Sequence, residues 1–248
     1  MLWLGHFLWP FLRITGIMLT APILGSSMVP NMVKAILAAA YAAALAGWLP
    51  NLPAFPDDPF AAMYIGTTQL AFGAMIGMVM QVVISAVACA GEIAGLSMSL
   101  SFSELQFRDS TGSTPVLYDI MLWAGMIGFL VAGGPEWIFV ALFHSFDNGV
   151  DLSGFTSWSD LAGMGEILFR AALCLALPVM MITLCINLTV GFTTVFAPQM
   201  NILSIGFPLL ILAGIWAMSD SILYTGHVMN SLMNTGVSSI AEMARGRG

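Results

Sequence analysis

An all-α, membrane-associated bundle of hydrophobic helices is the fold this sequence predicts, and three observations predict it. First, only 8% of the 248 residues are charged and 59% are hydrophobic. A soluble domain carries about 25% charged residues, so this chain has too few to cover a water-facing surface. Second, the mean hydropathy is +0.94. Third, the apolar residues gather in about six regions, at 2–24, 28–49, 60–102, 116–143, 167–197 and 202–232. Most of these reach the roughly 20 residues that a bilayer-crossing helix needs. The length suits one domain over 1–248 with no separate soluble module.

Charge and motifs exclude several function classes. Net charge is −7 with six lysines and arginines, which lacks the basic footprint of a nucleic-acid binder. Cys89, Cys174 and Cys185 lie inside apolar runs at no metal-binding spacing and read as packing residues. His6, His144 and His227 are isolated from one another in sequence. No phosphate loop, nucleophile elbow or zinc helix motif occurs. The expectation is therefore no enzyme activity, no cofactor and no metal.

The elements follow in order. The first region carries Arg13 and leads into structured-looking sequence, so it reads as a first helix rather than a cleavable signal. A tight turn at 25–31, with Pro22 and Pro30 near it, leads to the second region and Lys34. The stretch 50–59 holds Pro50, Pro53, Pro56 and Pro59, which makes it a stiff, acidic connector. The third region, 60–102, is about twice the length of one upright span. It contains no proline, so it is either one long tilted helix or a hairpin bent at Gly66, Gly73, Gly77, Gly91 or Gly95. The stretch 144–165 is polar and carries Asp147, Asp151 and Asp160. Beyond it, Glu166 and Arg170 stand four apart, the spacing at which helical side chains meet. Asp220 lies within the last apolar region. A loose tail is expected at about 239–248, and its Arg245 and Arg247 favour a cytoplasmic C-terminus.

Three groups of residues stand out as candidate sites. At about 100° per residue, Gly77, Gln81, Ser85, Ala88, Glu92, Gly95 and Ser99 fall within about 80° of one another on the third region. This small, polar stripe reads either as a helix-packing seam or as the lining of a water-filled path. Both readings keep Glu92 out of lipid, because a charge at mid-bilayer costs at least about 2.5–3.5 kcal/mol. Glu92 is expected to be buried against another helix and paired. The second group is a polar loop between two membrane-grade helices: Phe102, Ser103, Glu104, Leu105, Gln106, Phe107, Arg108, Asp109, Ser110, Thr111, Gly112, Ser113, Thr114 and Pro115. The third is Pro198, Gln199, Asn201, Gly206 and Pro208. Two prolines ten residues apart, with Asn and Gly between, do not suit a straight helix, so a break linking the last two helices is expected.

Five segments carry a family resemblance. They are Arg13 through Lys34 (RITGIMLTAPILG…VPNMVK), Ala90–Phe102 (AGEIAGLSMSLSF), Pro115–Leu117 with Gly128–Trp137, Ala176–Gly191 (ALPVMMITLCINLTVG) and Ala197–Pro208 (APQMNILSIGFP). In this order, over nearly the full length, the chain resembles the FliR/SctT family of type III protein-export gate subunits. It departs from the family at Ser97 and Ser99, where members commonly have Gln and Gly. It departs again at Thr193–Phe196, which often includes a basic residue, and at Leu210, where a Lys is common.

The resemblance implies a non-catalytic subunit of a flagellar export gate in the bacterial inner membrane, at the flagellar basal body. Its implied partners are the sister subunits FliP and FliQ in a helical, cone-like core, partly raised out of the bilayer. An FlhB-type switch protein, an FlhA-type gate protein, rod proteins, unfolded export substrates and membrane lipid complete the set. Residues Phe102–Pro115 align with the family's plug loop. The homologous subunit of a virulence injectisome shares these motifs and is an alternative. A secondary small-molecule transporter is the alternative from another class, since buried acids in such proteins bind protons or sodium.

Overall fold

A computed structural model describes residues 2–26, 29–47, 55–100, 115–146, 158–196 and 202–245. Among them are seven helices and no strand: α1 (Leu2–Thr20), α2 (Asn31–Ala46), α3 (Pro59–Ser97), α4 (Val116–Val131), α5 (Gly134–His144), α6 (Trp158–Phe196) and α7 (Ile202–Arg245). The all-α expectation holds. Three helices are long and apolar enough to cross a membrane, or four if α4 and α5 form one broken span. That is fewer than the six apolar regions suggest. The second region, for instance, yields a 16-residue helix, about 24 Å long against a bilayer core of about 30 Å.

Region three is a single 39-residue helix, not a hairpin. Its glycines serve close approach instead of bending. Gly73 and Gly77 lie against α1, and Gly91 and Gly95 against α4. Region four breaks where continuity was expected, between Val131 and Gly134. Gly133 takes the left-handed conformation at φ 78°, and Pro135 sits in the first turn of α5. Gly-Gly-Pro is a stop-and-restart signal: glycine accepts positive φ, and proline cannot donate to a preceding turn. Helix α6 begins at Trp158, inside the stretch expected to be loop. Helix α7 continues to Arg245, into the expected loose tail, where Ala, Glu, Met and Arg favour helix.

The helices divide between two compact units. Unit 1 comprises 1–83, 133–164 and 231–248; unit 2 comprises 84–132 and 165–230.

In unit 1, α1 packs on α2 and on the first half of α3. The α1–α3 contact is backbone against backbone: a β-carbon at Gly16 would overlap Leu70, and one at Gly73 would overlap Arg13. Thr20 Oγ1 donates across the same seam to the Ala74 carbonyl at 2.7 Å. Trp9, Ile14, Ile17, Phe72, Ile76, Ile138 and Leu142 fill the core. The turn after α1 holds Ile23 at φ 69°, a strained conformation for a β-branched residue. Lys34 Nζ clamps that turn by donating to the Gly25 and Ser26 carbonyls at 3.2 and 3.1 Å.

In unit 2, α4 lies on the second half of α3. Gly91 faces Leu117 and Met121, and Gly125 faces Val87. Gly214 of α7 receives the Met98 side chain from the end of α3. Ser221 Oγ of α7 donates to the Leu175 carbonyl of α6 at 2.6 Å.

Candidate functional site

Helix α3 splits the polar stripe lengthwise. Counting from Gly77 at about 100° per residue, Gly77, Ala88 and Gly95 occupy the first ~20°, and Gln81, Ser85 and Glu92 lie at roughly 40–80°. The first edge is buried: Gly77 lies against Thr20 and Ala21, Gly95 against Leu117, and Ala88 is fully enclosed. The second edge is open, with Gln81 and Glu92 exposed and Ser85 half-buried. The stripe is thus a seam on one side and a free polar face on the other. This chain's own helices do not bury Glu92, because α4 covers the glycine edge and stops short of the carboxylate. The last stripe residue, Ser99, leaves the helix at φ 62°. Its N–H donates to the Leu96 carbonyl at 3.1 Å, a left-handed cap of the kind usually built with glycine.

The polar loop that follows, Phe102 to Thr114, lies outside the described residues. Pro115 is described, at φ −57° and ψ 132°, as the residue that starts α4. Between the last two helices, α6 ends at Phe196 and α7 begins at Ile202. Pro198, Gln199 and Asn201 fall in that gap, outside the described residues. Gly206 and Pro208, expected to belong to the break, lie instead within α7. Pro208 is only seven residues into α7, where its missing N–H removes one intrahelical bond.

Arg13 was notable in the sequence only as a charge within an apolar run, and the structure makes it the centre of unit 1. Its side chain is 1% exposed. Nε donates to Gln69 Oε1 at 2.8 Å. Nη1 donates to the Ser145 carbonyl at 2.6 Å and to Ser145 Oγ at 2.9 Å. The rings of Phe146 and Phe72 lie 3.9 and 5.0 Å from the guanidinium carbon. An arginine planar enough to stack while bonding in two directions suits this position. Gln69 and Ser145 are single polar residues far apart in sequence, and nothing in their local pattern announces that they converge.

The remaining charges are scattered. Glu166, Arg170 and Asp220 are exposed. Among the described residues no three His, Cys, Asp or Glu side chains converge, which leaves the transporter alternative without a concentrated acidic site there.

The family model for bacterial export proteins, family 1, matches residues 4–236. A flagellar biosynthetic protein FliR from Escherichia coli (strain K12) is 34% identical over 97% of this chain and 95% of its own length. The FliR of Pectobacterium carotovorum subsp. carotovorum is 32% identical over 86% of this chain and 82% of its own. That of Bacillus subtilis (strain 168) is 21% identical over 82% and 80%. With a family match across almost the whole length and a relative above 30% identity aligned nearly end to end, this chain belongs to the bacterial export proteins of family 1, the FliR family.

Proposed function

We propose that this chain is a subunit of the bacterial flagellar type III export apparatus, forming part of the passage for unfolded flagellar proteins and helping to keep it closed. The observation that carries the reading is the full-length match to proteins named for flagellar biosynthesis. The open edge of α3 supports it: Gln81, Ser85 and Glu92 form a polar strip on an apolar helix, a face that is costly to present to lipid. The strip precedes in sequence the polar segment 102–115, which we assign as a plug. An unfolded substrate needs a polar, yielding path, because a hydrophobic constriction would hold it.

The subunit works without catalysis, in the inner membrane at the basal body, with its C-terminus in the cytoplasm. Its partners are the sister subunits FliP and FliQ, an FlhB-type switch protein and an FlhA-type gate protein. Rod proteins and unfolded substrates complete the assembly. The flagellar reading is favoured over the injectisome because the relatives named above are flagellar. The test is complementation of a strain lacking its own FliR. Restored swimming, secreted filament protein and co-purification with FliP and FliQ are expected. A chain that inserts stably yet neither joins those subunits nor restores secretion would sink the proposal.

A further inference from the structure

Arg13 carries a charge into the centre of unit 1, and its partners arrive late in the chain. Gln69 follows it by 56 residues and Ser145 by 132. The two rings that flank it, Phe72 and Phe146, are equally remote in sequence. None of these groups lies on α1 or α2. Until they are present, the five N–H donors of the guanidinium lack the acceptors that satisfy them in the folded unit, on a helix that is otherwise largely apolar. Ser145 follows the last residue of α5, and its N–H still bonds back to the Ala141 carbonyl. The cation therefore meets the negative end of a helix dipole, which exists only once α5 has formed. The tight α1–α3 seam adds to this condition, because Gly73 meets the Arg13 carbonyl only when α1 is fully seated.

We propose that α1 is a late-docking helix: Arg13 holds it out of its packed position until Gln69 of α3 and Ser145 at the end of α5 exist together, so α1 seats only after the chain has been made through α5. The inference is independent of the export function. It concerns the order in which the chain folds, and it makes the first helix wait for the end of α5.

The test uses the full chain with Cys89, Cys174 and Cys185 replaced by Ala. One thiol is introduced by Ile17→Cys on α1, at 1% exposure, or by Val87→Cys in unit 2, at 0%. Pulse-labelled cells are treated with N-ethylmaleimide at successive times. Protection at position 17 should trail protection at position 87, and Arg13→Met should remove the lag. At steady state Gln69→Leu should raise labelling at position 17 about tenfold or more, because it leaves a buried cation short of a partner. Adding Arg13→Met to Gln69→Leu should return labelling to background. Simultaneous protection of both positions in the parent chain would overturn the proposal. So would a Gln69→Leu chain that stays protected, a lag that survives Arg13→Met, or a double variant labelled as strongly as the single one.

Discussion

Gly73 of α3 lies so close to the Arg13 carbonyl of α1 that a β-carbon at position 73 would overlap it. The contact places the backbones of two helices together at the same residue whose side chain anchors Gln69 and Ser145. Arg13 is thus held by its main chain on one side and by its guanidinium on the other. In an apolar environment, where lipid competes equally for apolar side chains, helix association relies on such close backbone packing and on hydrogen bonds across it. Thr20, about two turns beyond Arg13 on α1, supplies one such bond to Ala74, the residue after Gly73.

Gly73→Ala should therefore destabilise unit 1 by about 1–3 kcal/mol through overpacking. Gly16→Ala, which would meet the Leu70 carbonyl, should behave alike. Gly226→Ala is the control: nothing lies within 4 Å of a β-carbon there, and alanine favours helix by up to about 1 kcal/mol. Thermal denaturation of the detergent-purified subunit reads all three. Equal midpoints for Gly73→Ala and Gly226→Ala would contradict the tight seam.

Ser99, two residues beyond α3, takes a conformation that L-residues with a side chain adopt at a cost. Glycine has no β-carbon to clash there, so Ser99→Gly should stabilise the helix end by about 1 kcal/mol, less the entropy glycine loses on folding. The expected result is an unchanged or higher melting midpoint. A fall of several degrees would mean that the serine hydroxyl contributes more than its backbone costs.

Glu92 separates the subunit from its assembly. Its carboxylate is exposed on the isolated chain, so Glu92→Leu should change subunit stability by no more than about 0.5 kcal/mol. If a sister subunit covers the open edge of α3, the same change leaves a buried partner unpaired, at about 3–5 kcal/mol. The expected pattern is normal subunit level with reduced complex yield and reduced secretion. Wild-type yield and secretion would remove Glu92 from the interface.

For the segment we propose as a plug, the informative change is removal of polar length without loss of core. Replacing Gln106–Gly112 by a short Gly-Ser link should leave the complex assembled, since the segment has few large apolar residues to pack. Passive leakage of ions or small solutes through the assembled complex should rise. Conductance measurements, or growth inhibition by small solutes, report it. Leakage at the parent level with assembly demonstrated would reduce the segment to a connector.

What the sequence announced, and what it withheld, follows from the range of the forces involved. Apolar run lengths located α3, α6 and α7, because a long run of apolar residues has few alternatives to helix. The stripe on α3 was visible because helical periodicity is a local property. Its division into a buried glycine edge and an open Glu92 edge was not visible, since that depends on where α4 lies. The break at Gly133 was legible in Gly-Gly-Pro but was outweighed by the apolar run around it. Pro208 does not break α7, because a proline early in a helix removes one bond without ending the helix. The Arg13 centre needed contacts across 56 and 132 residues, and a single sequence carries no signal for such pairs.

Met98 and Gly214 supply the last prediction. A β-carbon at Gly214 would fall among Cγ, Sδ and Cε of Met98. Methionine adapts to irregular gaps, and at a loosely packed site its thioether would move aside. Here Met98 is 0% exposed, so it has little free volume to move into. Gly214→Ala should then cost about 1–3 kcal/mol. Met98→Ala alone should cost about 2–5 kcal/mol through the cavity it leaves. In the double variant the new methyl at 214 enters the space vacated at 98, so the two losses should fall short of their sum by about 0.5–3 kcal/mol. Gly128 offers the comparison, because a β-carbon there would stand 3.8 Å from Met229 Cε, an ordinary contact. Gly128→Ala should be tolerated, and its pairing with Met229→Ala should show little coupling. Denaturation of the four single variants and two doubles decides the matter. Equal coupling at both pairs would mean that unit 2 yields around Met98, and that its packing is set by something other than this notch.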